Sequence, residues 1–96
     1  MPIGILQLTL YSPDIQSLKS KRHFLKPLIH NLQENFHVSV AEVGKQDIWK
    51  NSDLLIAIAS SDAKQLDIAK QRISDYIELH YPDAYIIKYE MEIIFE

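Results

Sequence analysis

The side chains whose types and spacing could do chemistry crowd between residues 17 and 49. Four of the ten Lys/Arg fall between Lys19 and Lys26. Lys19, His23, Lys26 and His30 recur at helical spacing, which makes them one stripe on a helix surface. Such a stripe suits an anionic partner, most naturally RNA phosphate, although its commoner use is as a solvated helix face. Arg22 falls beside the apolar positions Leu18, Leu25 and Ile29, where a charge needs a partner, and Glu42 or Asp47 is the expected carboxylate. The polar turn that follows holds Glu42, Gln46, Asp47 and the single tryptophan, Trp49. Tryptophan serves equally well as an interface anchor or as a plug for one end of a core.

Other chemistries lack their residues. There is no cysteine, so disulfides, thiolate metal sites and cysteine nucleophiles are excluded. His23 and His30 are seven apart on one helix, and no HExxH or compact carboxylate cluster joins them, so no metal site is expected. Two glycines cannot build a phosphate-cradling loop, and neither GxSxG nor a P-loop is present. Glu42 with Asp47 or His37 could be drawn as acid and base, but carboxylates scattered around a turn are usually structural. We therefore assign no catalytic, cofactor or metal residue.

These residues must be positioned by a small set of elements. Ile3–Tyr11 alternates as a strand, with Leu6, Leu8 and Leu10 on its core face. Ser17 caps an amphipathic helix over Leu18 to about Asn35, with Pro27 inside it. His37–Val43 reads as a second strand. Asp53–Ser60, apolar on both faces, reads as a third in the middle of a sheet. Ser60, Ser61 and Asp62 offer caps for a second helix, whose stripe is Leu66, Ala69, Ile73, Tyr76/Ile77 and His80. Ala84–Ile94 alternates as the last strand, with Ile86, Lys88, Glu90, Glu92 and Ile94 on one side. The order βαββαβ is the split-βαβ, ferredoxin-like arrangement: an α+β fold with an antiparallel four-stranded sheet and two helices on one face. One domain over 1–96 is expected.

The sheet face away from the helices would collect Ile5, Gln7, Ala41, Leu55, Ala57 and Ala59, with Thr9, Tyr11, Ser39, Val43, Ile86 and Lys88 around them. That centre is too apolar to be left in water, and a homodimer through this face is expected. It lacks the stacked aromatics with basic neighbours by which RNA-recognition domains use such a face. Lys88, Glu90 and Glu92 suit an edge that discourages pairing with another chain.

Composition sets the outer limits. At 47% hydrophobic and 24% charged the chain reads as ordinary globular material. MPIGILQLTL lacks a basic n-region and reads as a strand rather than a signal peptide. The longest apolar run, Leu54–Ala59, is too short to span a bilayer, so a cytoplasmic protein without membrane contact is expected. Net charge is −3, but residues 1–52 carry six Lys/Arg against four Asp/Glu while residues 53–96 carry four against nine. The first half could present a local positive face. Nothing indicates DNA specificity.

Three ordered motifs carry a family resemblance: Ser17-Leu18-Lys19-Ser20-Lys21-Arg22, Val38-Ser39-Val40-Ala41-Glu42-Val43 and Gln46-Asp47-Ile48-Trp49. The chain resembles the YlxP-like family, small bacterial proteins of unknown function. It departs from their pattern at Pro27 and at Gly44-Lys45. The resemblance implies a ferredoxin-like fold. Because genes of the family often lie near translation and ribosome-maturation genes, it also implies a partner in that apparatus. Residues and resemblance together lead us to expect a non-enzymatic binding module. Its partner surface would be Lys19, Arg22, His23, Lys26, Glu42, Gln46, Asp47 and Trp49. The rival reading is a small-ligand-sensing ferredoxin-like dimer with its pocket at the interface.

Overall fold

The computed structural model describes residues 1–95. Its elements run β1 (Pro2–Tyr11), α1 (Leu18–Phe36), β2 (Ser39–Gly44), β3 (Asn51–Ala59), α2 (Ala63–His80) and β4 (Tyr85–Phe95). The strands form one antiparallel sheet in the order β2-β3-β1-β4, so β1 and β3 are central as the sequence implies. This is the ferredoxin-like arrangement. Alternation along the central strands turns Leu6, Leu8, Leu10, Leu54, Ile56 and Ile58 to one face. There they meet Leu25, Leu28 and Leu32 of α1 and Leu66, Ile73 and Ile77 of α2 in a single core. Edge-to-face rings, Phe24 on Tyr81 and Phe36 on Tyr76, tie the first helix to the second and to its end.

Each helix begins on the cap its sequence offers. The Ser17 hydroxyl accepts from the Ser20 N–H at 3.0 Å, and the Asp62 carboxylate accepts from the Gln65 N–H at 2.9 Å. Pro27 sits within α1 and has no N–H to give His23, yet the helix runs on to Phe36. Leu25 on one side and Leu28 and Leu32 on the other are all buried, and their packing outweighs the missing bond.

Two strand expectations need correction. His37 does not begin β2: it caps α1 in the left-handed region at φ 53°, with its N–H on the Gln33 carbonyl at 3.0 Å. The last strand does not alternate strictly. Its pairing with β1 slips between Thr9 and Leu10, so Thr9 faces Lys88 but Leu10 faces Ile86. The bulge takes up Ile87, which is exposed, and turns Ile86 from the expected open face into the core.

On the open face the rows are now fixed. Ala59 lies beside Ile3, Ala57 beside Ile5, Leu55 beside Gln7 and Asp53 beside Thr9. Beyond β1 come Ile94, Glu92, Glu90 and Lys88 of β4, and beyond β3 come Ser39 and Ala41 of β2.

Candidate functional site

Lys21 organises the region where the sequence places its candidate residues. The buried stripe of α1 runs Lys21, Leu25, Leu28, Leu32. These positions recur at alternating four- and three-residue steps, the spacing of one helix face. Lys21 is 2% exposed and its Nζ reaches the end of the β2–β3 connection. There it donates to the carbonyls of Lys45 at 2.6 Å and Ile48 at 2.7 Å. It also lies 2.9 Å from Glu42 Oε2. That last approach is one of charge, set off the line of a hydrogen bond, and the buried Oε2 receives no hydrogen bond.

The turn is shaped around that ammonium group. Lys45 takes a left-handed backbone, φ 56°, without being glycine. Such a conformation costs on the order of 1 kcal/mol. It aims the Lys45 carbonyl inward, where it accepts both from Lys21 and from the Ile48 N–H at 3.0 Å. Ile48 and Trp49 are held at the rim with their side chains accessible, Trp49 at 48% exposure. Trp49 is therefore no core plug.

The expected partner of Glu42 is thus corrected. Arg22 is exposed, and among the described residues it pairs with no carboxylate. One residue turns a helix by about 100°, so Lys21 falls in the centre of the apolar stripe and Arg22 to its side. The signal for Lys21 was present in the spacing Leu18, Lys21, Leu25, Leu28, Leu32. A lysine reads as surface by type, and that preference hid it.

Between α1 and the turn lies an open groove of about 580 Å³. Leu18, Leu25 and Ile29 form its apolar side; Arg22 and Lys26 line it from the helix, and Glu42, Gln46 and Asp47 from the strand and turn. A smaller depression of about 460 Å³, lined by Lys19, Arg22, His23, Lys26 and Pro27, adjoins it across Arg22 and Lys26. Seven of the eight expected partner residues meet in this region, with Trp49 on the same turn. Lys19, Arg22, His23 and Lys26 are all exposed. None of them has a carboxylate partner among the described residues, while His30 sits 4.0 Å from Glu34.

A second polar node lies on the open sheet face. The Thr9 hydroxyl donates to Asp53 Oδ1 at 2.7 Å, and Lys45 Nζ lies 3.2 Å from the same oxygen. The Thr9 hydrogen bond, aided by Lys45, holds the Asp53 carboxyl below its ordinary pKa against the opposing effect of burial. No group of three or more His, Cys, Asp or Glu that could hold a metal ion occurs among the described residues. No helix among them is long and apolar enough to cross a membrane.

Known proteins match at two levels. A family described as Protein of unknown function (DUF503) matches residues 3–91. The Bacillus subtilis protein named Uncharacterized protein YlxP is 36% identical over 76 residues, 79% of this chain and 83% of the relative. Among solved structures, the de novo designed protein Foldit4 aligns with a TM-score of 0.54 at 12% identity, covering 100% of this chain and 99% of the design. A second de novo design, described as having a ferredoxin fold, aligns at 0.50 and 12% identity, over 100% and 88% of the two chains. At that identity the likeness speaks for the fold alone.

Proposed function

The chain belongs to the DUF503 family, whose function is unknown, and within it we propose a non-enzymatic binding module that takes RNA phosphate on the outer face of α1. One observation carries the reading: Lys19, Arg22 and Lys26 stand exposed together, with no carboxylate partner among the described residues, on a chain whose net charge is −3. Cations that are not neutralised internally remain available to an anionic backbone, and releasing its counterions drives the association. Glu42 is offset by Lys21, so Asp47 is the carboxylate that repels phosphate from the far wall of the groove and favours the helix side. Trp49, exposed on the β2–β3 turn, offers a ring on which a base can stack. A partner in the translation apparatus would present this kind of surface.

The test is titration of the full chain with single-stranded RNA at several salt concentrations, read by Trp49 fluorescence or anisotropy. Affinity should fall with salt. Lys19→Ala with Lys26→Ala should flatten the log–log slope by about 0.7 for each phosphate that the variant no longer neutralises. No binding at low salt, or an unchanged slope in the double variant, would remove the reading.

A further inference from the structure

We propose that the open sheet face joins two copies of this chain about a two-fold axis parallel to the strands and midway between β1 and β3. The surface is complementary to itself in a way that selects this partner. At two successive levels the register sets a large residue on β1 beside a small one on β3: Ile3 beside Ala59 and Ile5 beside Ala57. Ile3, Ala57 and Ala59 are exposed and Ile5 is half-buried, so the ridge and the hollow both face outward. A two-fold between the strands exchanges β1 for β3 without changing level. It lays each isoleucine of one copy over an alanine of the other, twice over. Packed sheets sit about 10 Å apart, which leaves room for an isoleucine above an alanine and too little for two isoleucines. The next row, Gln7 beside Leu55, is large on both strands and marks the end of the close contact, where twisted sheets diverge. The same patch is used on both sides, as a closed dimer requires.

Charge argues the same way. The central rows Ile3–Ala59 and Ile5–Ala57 carry none, and Glu90 and Glu92 lie on β4, outside them. In the proposed arrangement those carboxylates fall over Ser39 and Ala41 of the partner's edge strand, where water reaches them. Glu90 and Glu92 beside these neutral rows disfavour a polyanion at this end of the face; its cations, Lys45 and Lys88, lie at the Thr9–Asp53 end, where Lys45 is paired with Asp53. The charged outer strand also disfavours joining sheets edge to edge. The inference is independent of the reading of α1, which packs on the other side of the sheet.

Sedimentation equilibrium of the full chain tests it, over roughly 1 to 100 µM, the range in which modest interfaces assemble. Wild type should be a dimer, and Ala57→Glu a monomer with unchanged circular dichroism. Ile5→Ala and Ala57→Ile should each raise the dimer Kd by about tenfold or more, the first by removing a knob and the second by filling a hollow. Combined in one chain they exchange knob for hollow and should recover most of that affinity. A monomeric wild type at the highest concentration, a dimeric Ala57→Glu, or additive effects in the double variant would each overturn the proposal.

Discussion

Lys21 shows how a charged residue can be more central than the leucines around it. Its stem fills the first position of the α1 stripe, and its ammonium donates to the part-buried Lys45 and Ile48 carbonyls. Removing it leaves those carbonyls and Glu42 without their cation. Losing one partner of a buried pair costs several kcal/mol, and the side chain of Glu42 is 24% exposed, so the lower end of that range applies. Lys21→Met should therefore lower the unfolding free energy by about 3 kcal/mol in urea. Arg22→Met next door, on solvated surface, should stay within about 0.5 kcal/mol. Equal effects at the two positions would contradict the assignment. The sequence leads one to expect Arg22 beside Glu42 or Asp47; the cation that meets Glu42 is its neighbour Lys21. That one step is about 100° around the helix, and residue type argued for the wrong neighbour.

The elements themselves were legible where burial and local chemistry agree. Ser17 and Asp62 cap their helices, and the apolar stripe of α1 passes Pro27 in register because three leucines hold both sides of it. The bulge in β4 was not legible. Ile86 and Ile87 are interchangeable in type, so nothing local tells which one faces Leu10. The β1–β3 pairing, by contrast, fixes a pH response. In the folded chain Asp53 releases its proton at lower pH than in the unfolded chain. Between those two values the unfolded state binds more protons, so stability rises with pH across that window. The contribution is complete above the ordinary carboxylate range and is lost as pH falls through the lowered folded value. Thr9→Val keeps a good strand residue and removes the donor that contributes most. A carboxyl-carbon NMR titration should show the Asp53 pKa moving up toward its ordinary value. The acid limb of the stability curve should flatten with it, and an unmoved pKa would leave Lys45 as the controlling group.

At the scale of the whole molecule, βαββαβ order decides which surfaces can act together. Both helices cover one side of the sheet, so the basic face of α1 and the Ile5–Ala57 patch point in opposite directions. Two copies joined through the patch would carry their basic faces on opposite sides of a helix–sheet–sheet–helix body, on the order of 40 Å thick for four layers of about 10 Å each. An RNA short enough to lie on one helix, about 8 nucleotides, meets a single face and cannot sense the dimer. One of about 40 nucleotides can wrap from the first face to the second, and the second engagement then forms at high effective concentration. Ala57→Glu leaves every residue of the basic face in place and separates the copies. It should bind the short RNA as wild type does and the long RNA at least about tenfold more weakly, because only the linked second engagement disappears. Adding salt should narrow the gap if both faces engage phosphate as proposed. Equal weakening on both lengths would mean that Ala57→Glu disturbs the basic face itself, and equal affinity on both would mean that the two faces act alone.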